Sequence, residues 1–257
     1  MSGLIWLDPD TPIPEPERAM PEGLVAAGTD LSVSRLIEAY SKGVFPWFNE
    51  GDPVLWWSPD PRMILTCDQF KASHSLSKKL RQIARQELEP GAKIVVTTDL
   101  AFKAVITACA GPRTTQAGTW ISDRIIDTYT QWHEAGQVHS VETWIDGELA
   151  GGLYGVCLGG FFFGESMFSW EPDSSKIALA YLVRYLSRHG VPHLDCQQNT
   201  RHLASLGART MPRADFLVLL REALGHPTPP WQAGQLLHDG RLLPMAERRP
   251  HVHEDKE

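Results

Sequence analysis

The sequence predicts an α/β (α+β) fold in which a small N-terminal domain precedes a larger domain built on one mixed sheet. Turn and cap signals divide most of the chain into short strands and amphipathic helices. The dipeptide Asp146-Gly147 joins two strand-like runs, which is a strong hairpin signal. An aromatic, proline-broken segment precedes this regular pattern. We therefore predict domains over residues 1–70 and 71–247, and a disordered tail over 248–257.

The predicted N-terminal domain opens with an extended arm over residues 1–22, which are rich in proline and acids. Ser32 is expected to be the N-cap of a short helix that reaches Tyr40 and is stopped by a glycine. Trp56 and Trp57 lie in the proline-broken segment that follows. We expect both tryptophans to fill the core of this small domain.

A basic helix is predicted over residues 71–86, which hold five Lys or Arg residues and no acid. Helical spacing places Leu76, Leu80 and Ile83 on one face, with charges on the other. Most charged helix faces are simply solvated, but the absence of acids in an acidic protein also fits contact with phosphates. The residues expected to contact phosphates, should this face meet nucleic acid, are Lys78, Lys79, Arg81 and Arg85.

The larger domain has a characteristic order of elements. They are a strand over 94–97, a helix capped by Asp99 and reaching Ala110, a loop over 118–121, a helix capped by Ser122–Asp123 and stopped by Gly136, strands over 139–145, 148–156 and 161–168, a helix capped by Ser174 or Ser175 and ending at Gly190, a strand over 191–196, and a helix over 212–224. A strand, two helices, an antiparallel meander, then helix, strand and helix is the order of acetyltransferase-like (GNAT-type) folds. We predict that fold for the larger domain.

Composition and charge exclude several classes of protein. A hydrophobic content of 42% and a charged content of 21% are ordinary for a globular protein. The net charge of −7 argues against nonspecific coating of nucleic acid, although it allows local docking. No apolar run approaches the roughly 20 residues of a membrane span, and residues 1–9 do not resemble a signal peptide. Four scattered cysteines without a Cys-x-x-Cys pair favour reduced thiols. We expect a cytoplasmic protein with no membrane partner and no metal site.

Two stretches hold the residues best suited to chemistry. Phe161–Ser169 has the pattern of a strand that is apolar on both faces, yet it contains Glu165. A buried carboxylate without a partner is costly, so Glu165 is either part of a structural network or kept for a ligand. Asp195 and Gln197 stand two apart on a short strand, so both side chains are expected to enter one cleft. The alternative for Asp195 is a hydrogen bond to a nearby turn.

These stretches, together with Phe45–Phe48, Leu55–Arg62 and Ala204–Ala208, resemble the leucyl/phenylalanyl-tRNA–protein transferases. The resemblance runs over about residues 21–216, most of the chain. Enzymes of that family move Leu or Phe from a charged tRNA to the N-terminal Arg or Lys of a protein, which marks the product for degradation as an N-degron. The resemblance implies an acetyltransferase-like domain preceded by a small one, which agrees with the order of elements above.

The reaction implied by the resemblance is aminolysis of an aminoacyl ester, for which no metal or cofactor is needed because the ester is already activated. The resemblance also implies that Asp195 and Gln197 are the catalytic pair, and Glu165 can bind the aminoacyl amine. An amide is a poor base, so on chemical grounds Asp195 is the charged partner and Gln197 the orienting one. Asp195, Glu165 and Glu142 are all available to bind the cationic residue of the acceptor.

An apolar pocket for Leu or Phe, with Met accepted less well, is a further implication. Its expected residues are Leu153, Phe162, Met167, Leu179, Leu182 and Leu194, although by composition each also fits a core. Leu153 and Leu182 stand where the family is expected to have Met and an aromatic residue, so we expect a changed preference among Leu, Phe and Met. Trp47 and Trp120 resemble the aromatics that stack on the terminal adenosine, with packing as the alternative for Trp47.

The partners expected from the resemblance are Leu-tRNA, Phe-tRNA and acceptor proteins with N-terminal Arg or Lys. The basic face of the helix over residues 71–86 is then the expected tRNA contact. We expect a monomer.

Two other functions fit parts of the sequence. An acetyl-CoA-dependent N-acetyltransferase would need a glycine-containing pyrophosphate loop, but residues 170–176 hold two acids and no glycine. A non-catalytic tRNA or peptide binder is the second alternative. Asp195, Gln197 and Glu165 count against that reading.

Overall fold

The computed structural model describes residues 4–111 and 120–244, and within them it is a mixed α/β structure with two sheets. This confirms the predicted α/β class. The predicted tail over 248–257 and the first half of the loop over 118–121 lie outside the described residues. In the described part of the chain, no helix is both long enough and apolar enough to cross a membrane.

Local sequence signals divide the chain into short elements. In chain order the strands are β1 (Trp6–Leu7), β2 (Leu24–Gly28), β3 (Phe45–Pro46), β4 (Val54–Trp57), β5 (Arg62–Thr66), β6 (Ile94–Thr98), β7 (Val138–Ile145), β8 (Glu148–Leu158), β9 (Phe161–Ser169), β10 (His193–Gln197), β11 (Arg209–Met211), β12 (Gly234–Leu236) and β13 (Leu242–Pro244). The α-helices are α1 (Val33–Ser41), α2 (His74–Gln86), α3 (Phe102–Ala110), α4 (Asp123–Glu134), α5 (Ser174–Arg188), α6 (Arg201–Ser205) and α7 (Arg213–Leu224).

The strands of the described residues form a four-stranded sheet, β1-β2-β4-β3, and a nine-stranded sheet, β11-β5-β10-β9-β8-β7-β6-β12-β13. Strands β6 to β9 are an antiparallel meander. Strand β10 runs parallel to β9 because α5 carries the chain back between them. Strand β5 pairs with β10 and β11, so residues 62–66 enter the larger sheet. The domain division after residue 70 stays a prediction.

Helices cover both faces of the larger sheet. Helices α1, α3, α4 and α7 pack with the smaller sheet into one core, and α2 and α5 form the core on the opposite face. Trp56 is 1% exposed within the first core, as predicted, whereas Trp57 is only half-buried. The indole Nε1 of Trp57 donates to the carbonyl of Trp47 at 2.8 Å. Trp57 therefore supports the neighbouring strand as well as filling space.

Several local predictions are confirmed. The Ser32 hydroxyl accepts a hydrogen bond from a backbone N–H of the first turn of α1, at 3.3 Å. Asp146 and Gly147 have φ of 51° and 85°, which is the left-handed pair expected of a two-residue hairpin turn. The predicted apolar face of α2 is buried against α5 and the larger sheet. Each of these features depends on residues that are neighbours in the sequence.

The predicted N-cap at Asp99 is wrong. Helix α3 begins three residues later, at Phe102. Asp99 adopts φ 57°, and its carboxylate accepts from the backbone N–H of Ser140 at 2.9 Å and contacts His139 Nδ1 at 2.8 Å. The Asp99 carboxylate therefore bonds to residues of strand β7 and does not cap α3.

The predicted caps of α5 are also wrong, because Ser174 and Ser175 lie in the first turn and Asp173 precedes the helix. Asp173 adopts φ 70° and makes no side-chain cap bond. The Ser174 hydroxyl instead donates to the carbonyl of Ala150 on β8, at 2.9 Å. The Ser169 hydroxyl on β9 accepts from the backbone N–H of Ser175 at 3.0 Å. These bonds tie the start of α5 to the sheet.

Candidate active site

A cavity of about 490 Å³ is lined by residues of β3, β8, β9, α5, β10 and α6. Its volume falls within the range of small-molecule sites. The six residues predicted for the aminoacyl pocket all line it: Leu153, Phe162, Met167, Leu179, Leu182 and Leu194. Trp47, Trp120, Glu165 and Gln197 line the same cavity. The structure therefore brings together residues from distant parts of the chain that the sequence analysis selected one by one.

The middle of β9 opens towards the cavity. Residues 161–163 are buried, but the four consecutive residues 164–167 all line the cavity and are half-buried. Strict strand alternation would send every second side chain to the other face. The register between β8 and β9 shifts at Tyr154/Gly155, opposite Gly164. A Cβ on Gly155 would lie 2.5 Å from the ring of Phe162, so glycine is required for this close packing.

Asp195 does not line the cavity. Its carboxylate is fully buried and forms a two-pronged ion pair with the guanidinium of Arg62, which is 1% exposed. Arg62 Nε lies 2.9 Å from Oδ1 and Arg62 Nη2 lies 2.6 Å from Oδ2. The guanidinium also donates to the Gly43 carbonyl at 3.2 Å and lies over the rings of Phe45 and Phe216. Such a pair is stable in the interior because every charged atom has a partner.

The prediction that Asp195 and Gln197 enter one cleft is wrong. The register with β5 shifts between these two residues, and Gln197 adopts φ 59°. The bulge turns the Gln197 side chain into the cavity and leaves Asp195 inside the sheet. Asp195 Oδ1 accepts from the Gln197 backbone N–H at 2.8 Å, which stabilises the left-handed residue. The catalytic roles of both residues stay predictions.

Glu165 lies in the cavity wall and also belongs to a hydrogen-bond network. Its Oε1 accepts from the Tyr40 hydroxyl at 2.7 Å and from Gln197 Nε2 at 3.0 Å. The hydroxyls of Tyr40 and Tyr129 lie 2.7 Å apart. The two alternatives drawn from the sequence, a structural network or a ligand site, are therefore combined in one residue. Tyr129 had no assigned role, because only its helical spacing is visible in the sequence.

Burial raises the pKa of Glu165 to about 8. The hydrogen bond from Tyr40 acts against this rise, whereas the nearby charge of Asp195 adds to it. Burial also raises the pKa of Tyr40 and of Tyr129 well above the ordinary value of tyrosine, so both hydroxyls keep their protons near neutral pH. The cavity thus contains a carboxyl group that can take up or release a proton near neutral pH.

Glu142 lies outside the cavity lining. It is fully buried and accepts hydrogen bonds from the hydroxyls of Thr97 and Ser140. Burial raises the pKa of Glu142, as it does for Glu165. Of the three acids considered for the acceptor's cationic residue, Glu165 is the one that lines the cavity.

The basic face of α2 is largely exposed. Its exposed members are Lys78, Arg81 and Arg85. Lys79 is paired, with its Nζ 3.0 Å from Asp173 Oδ2 and 3.2 Å from the carbonyl of Pro172. The acid that pairs with Lys79 is therefore not on α2: Asp173 lies just before α5. Contact with phosphates stays a prediction.

Other residues of the site were missed by the sequence analysis. Further lining residues beyond β9 are Cys196, Gln198, Thr200, His202 and Leu203. Arg62 was noticed only within a motif, although an arginine at the start of an apolar strand signals a buried partner. In the part of the chain that the structure describes, no three His, Cys, Asp or Glu side chains are grouped to hold a metal ion.

The family models and two relatives that match this chain all carry the same family name. The family model described as leucyl/phenylalanyl-tRNA protein transferase matches residues 64–221, and the model of that family's N-terminal domain matches residues 29–60. A leucyl/phenylalanyl-tRNA–protein transferase of Bordetella petrii is 59% identical and covers 94% of this chain and 96% of its own. The protein of the same name from Bordetella avium is 56% identical, with 95% and 98% covered.

One solved structure is similar to this chain at a much lower level. The structure of L-PGS from Bacillus licheniformis is 12% identical, covers 66% of this chain and 51% of its own, and has a TM-score of 0.33. Nothing further about this chain follows from a likeness at that level.

Replacing Asp195 by Asn is expected to lower the free energy of unfolding by about 3–5 kcal/mol, because the Arg62 guanidinium stays buried without a counter-charge. Urea unfolding at neutral pH measures this loss. Asp239→Asn, which breaks the exposed pair with Arg241, is the control and should cost less than about 1 kcal/mol. Equal losses in the two variants would contradict the assigned burial of the Arg62 pair.

Stability should also depend on pH through Glu165. Its pKa is raised from 4.5 to about 8 in the folded protein, so the protonated form is favoured by folding. The stability that this group contributes is complete below its unfolded pKa and is lost as the pH rises through about 8. Glu165→Gln should therefore lose less stability than wild type between about pH 5 and about pH 9.

Urea unfolding at several pH values measures that difference. The control is Glu134→Gln, at an exposed position on α4, and it should keep the wild-type dependence. If Glu165→Gln also keeps the wild-type dependence, the pKa of Glu165 is not raised.

Proposed function

The chain belongs to the leucyl/phenylalanyl-tRNA–protein transferase family, and we propose that it transfers Leu or Phe from aminoacyl-tRNA to an N-terminal Arg or Lys of acceptor proteins. The protein is thus an aminoacyltransferase. The observation that carries the finer proposal is that one cavity joins an apolar pocket, two tryptophans and a carboxyl group of raised pKa. Products of this reaction would carry an N-degron and be degraded.

The apolar part of the cavity suits the side chain of the transferred amino acid. Leu179 and Leu182 on α5 and Phe162 and Met167 on β9 all line this space. Met167 is flexible and can adapt to either Leu or Phe, and Met is the less favoured third substrate. Leu153 and Leu182, in place of the expected Met and aromatic residue, support a changed preference among the three.

Trp47 and Trp120 suit the terminal adenosine. Trp47 is 43% exposed although large and apolar, which leaves one face of its indole accessible. Trp57 packs edge-on against Trp47 with ring centroids 6.0 Å apart, so the ring is supported from behind. An accessible and supported indole is the arrangement used to stack a base.

We propose that Glu165 accepts a proton from the attacking α-amine of the acceptor. An α-amine has an ordinary pKa of about 7.7–8.0, and the pKa of Glu165 is about 8, so proton transfer between them is nearly balanced. The neutral amine nitrogen then attacks the ester carbonyl carbon, and the bond to the ribose oxygen breaks. The proton that the nitrogen loses as it becomes an amide passes to that ribose oxygen, and Glu165 returns its own proton to solvent. Gln197 donates one N–H to Glu165 and has a second N–H and a carbonyl for the reacting groups.

In this scheme Asp195 positions the site and does not touch the substrate. It holds Arg62 through a buried contact and the backbone of Gln197 through a partly buried one. This differs from the expectation that Asp195 is the charged partner of the amine. Removal of Asp195 would act through the bulge that directs Gln197 into the cavity.

We also propose that the larger domain has the acetyltransferase-like, GNAT-type fold, with the small domain over about residues 1–70. The antiparallel meander β6 to β9, followed by α5 and the parallel strand β10, supports this proposal. A cytosolic location and a monomeric state without metal or cofactor complete the proposal. The four cysteines, all present as free thiols, are consistent with that location.

Transfer of radiolabelled Leu from Leu-tRNA to an Arg-initiated peptide tests the function. Glu165→Gln is expected to lower kcat about 100-fold or more, because the amine then lacks its base. A rise in KM without a loss of kcat would instead indicate that Glu165 holds the aminoacyl amine. Glu142→Gln is the matched control, since this residue is also a buried, hydrogen-bonded carboxylate but does not line the cavity.

An Asp-initiated peptide is the control for acceptor specificity and should receive no Leu. If the wild type binds Leu-tRNA but transfers Leu to neither peptide, the enzymatic proposal fails and the non-catalytic binder remains.

Trp47→Ala is expected to raise the KM for Leu-tRNA about tenfold, because stacking on one base is worth about 1–3 kcal/mol. Steady-state kinetics with varied Leu-tRNA measure this change. Trp6→Ala is the control, since Trp6 is 53% exposed and does not line the cavity. An unchanged KM in Trp47→Ala would remove Trp47 from the adenosine site.

A further inference from the structure

We propose that two cationic side chains, Lys79 and Lys176, and the imidazole of His202 form a track that binds the phosphodiesters of the single-stranded 3′ end of tRNA and leads this end into the cavity. The proposal rests on the proposed function and extends it. The predicted tRNA contacts lie on α2 alone, whereas the track continues over the start of α5 to α6. The proposal therefore adds two residues, Lys176 and His202, to those expected to bind phosphate.

The first step of the track joins α2 to α5. Lys79 Nζ lies 3.0 Å from Asp173 Oδ2 and 3.2 Å from the carbonyl of Pro172, both just before α5. Lys79 is 36% exposed, so its ammonium group can still be reached from solvent. The exposed basic face of α2 is thus continuous with the first turn of α5.

Lys176 is the second step. Its Nζ lies 3.2 Å from Asp173 Oδ1, and the side chain is 37% exposed. Lys176 precedes Leu179 by three residues on α5, so the two side chains share one helix face. Leu179 lines the cavity. The ammonium group of Lys176 therefore stands one turn from the cavity wall, towards the start of the helix.

His202 is the third step and belongs to the rim of the cavity. Its side chain is exposed and lines the cavity with Thr200 and Gln198. Partial burial lowers the pKa of His202, and the charge of Lys176 acts in the same direction, which fits their closeness. A neutral imidazole still donates one N–H, as a phosphate oxygen requires.

Asp173 holds the two ammonium groups in place before tRNA binds. Each of its carboxylate oxygens contacts one lysine, and the side chain makes no cap bond to α5. The hydrogen bond from Lys79 is the main cause that lowers the pKa of Asp173, so this group stays ionised near neutral pH. A bound phosphate would compete with this carboxylate for both lysines. Asp173 therefore limits the affinity of the track while it orders the lysines.

The ligand class follows from charge. The proposed acceptor carries a cationic Arg or Lys at its N-terminus, which a cationic track would repel. The tRNA end carries one negative charge per nucleotide, and its last base is assigned to the tryptophans of the same cavity. The tRNA strand is thus the substrate whose charge suits the track, and its backbone must leave the cavity across the rim.

Kinetics with two acyl donors test the track. Lys176→Ala should raise the KM for Leu-tRNA about threefold to tenfold and lower the salt slope of binding by about 0.7, the share of one phosphate on a single strand. The loss should be much smaller for leucyl-adenosine, an ester without phosphate. Lys176→Arg should restore most of the affinity. Lys93→Ala removes another exposed lysine that is paired with an acid, Asp146, and serves as the control.

Asp173→Asn should have the opposite effect and lower the KM for Leu-tRNA about threefold, because asparagine tolerates the left-handed backbone and leaves both lysines free. Wild-type KM and salt slope in Lys176→Ala, or an equal loss with both donors, would overturn the track. A higher KM in Asp173→Asn would overturn the role of Asp173. Failure of the proposed function is distinguishable, since the wild type would then transfer Leu from neither donor.

Discussion

The buried ion pair between Arg62 and Asp195 is the interaction on which the candidate site depends. It joins β5, which follows the smaller sheet in the chain, to its neighbour β10 in the larger sheet. The same guanidinium reaches the carbonyl of Gly43, and the same carboxylate holds the backbone of Gln197. A buried pair of this kind adds little net stability compared with apolar residues, but it tolerates few alternative arrangements. Its contribution is to fix the register between β5 and β10 and the bulge between Asp195 and Gln197.

The two carboxyl groups near the cavity have different environments and different proposed roles. Asp195 faces a guanidinium with both oxygens and is closed off from the cavity. Glu165 has neutral donors, Tyr40 and Gln197, and the negative charge of Asp195 helps to raise its pKa. One acid is thus held in a buried ion pair, while the other can exchange a proton near neutral pH.

The site is assembled from both ends of the chain and from both faces of the larger sheet. Tyr40 comes from α1 and Tyr129 from α4 on one face, whereas Leu179 and Leu182 come from α5 on the other. The cavity lies where the smaller sheet, through β3, meets the strands β9 and β10. This arrangement lets an apolar pocket, an accessible indole and a polar network share one space.

Local patterns in the sequence determined much of this protein. The cap at Ser32, the hairpin turn at Asp146-Gly147 and the apolar face of α2 each depend on neighbouring residues, and each was predicted. The family motifs selected the six pocket residues that the fold brings together. Tertiary structure alone decided the partners of the polar groups. Arg62 and Asp195 are 133 residues apart, and Asp99 and Ser174 bond to adjacent strands instead of capping helices. A charged or hydroxyl group bonds to whichever partner folding brings near, and residue spacing does not encode that partner.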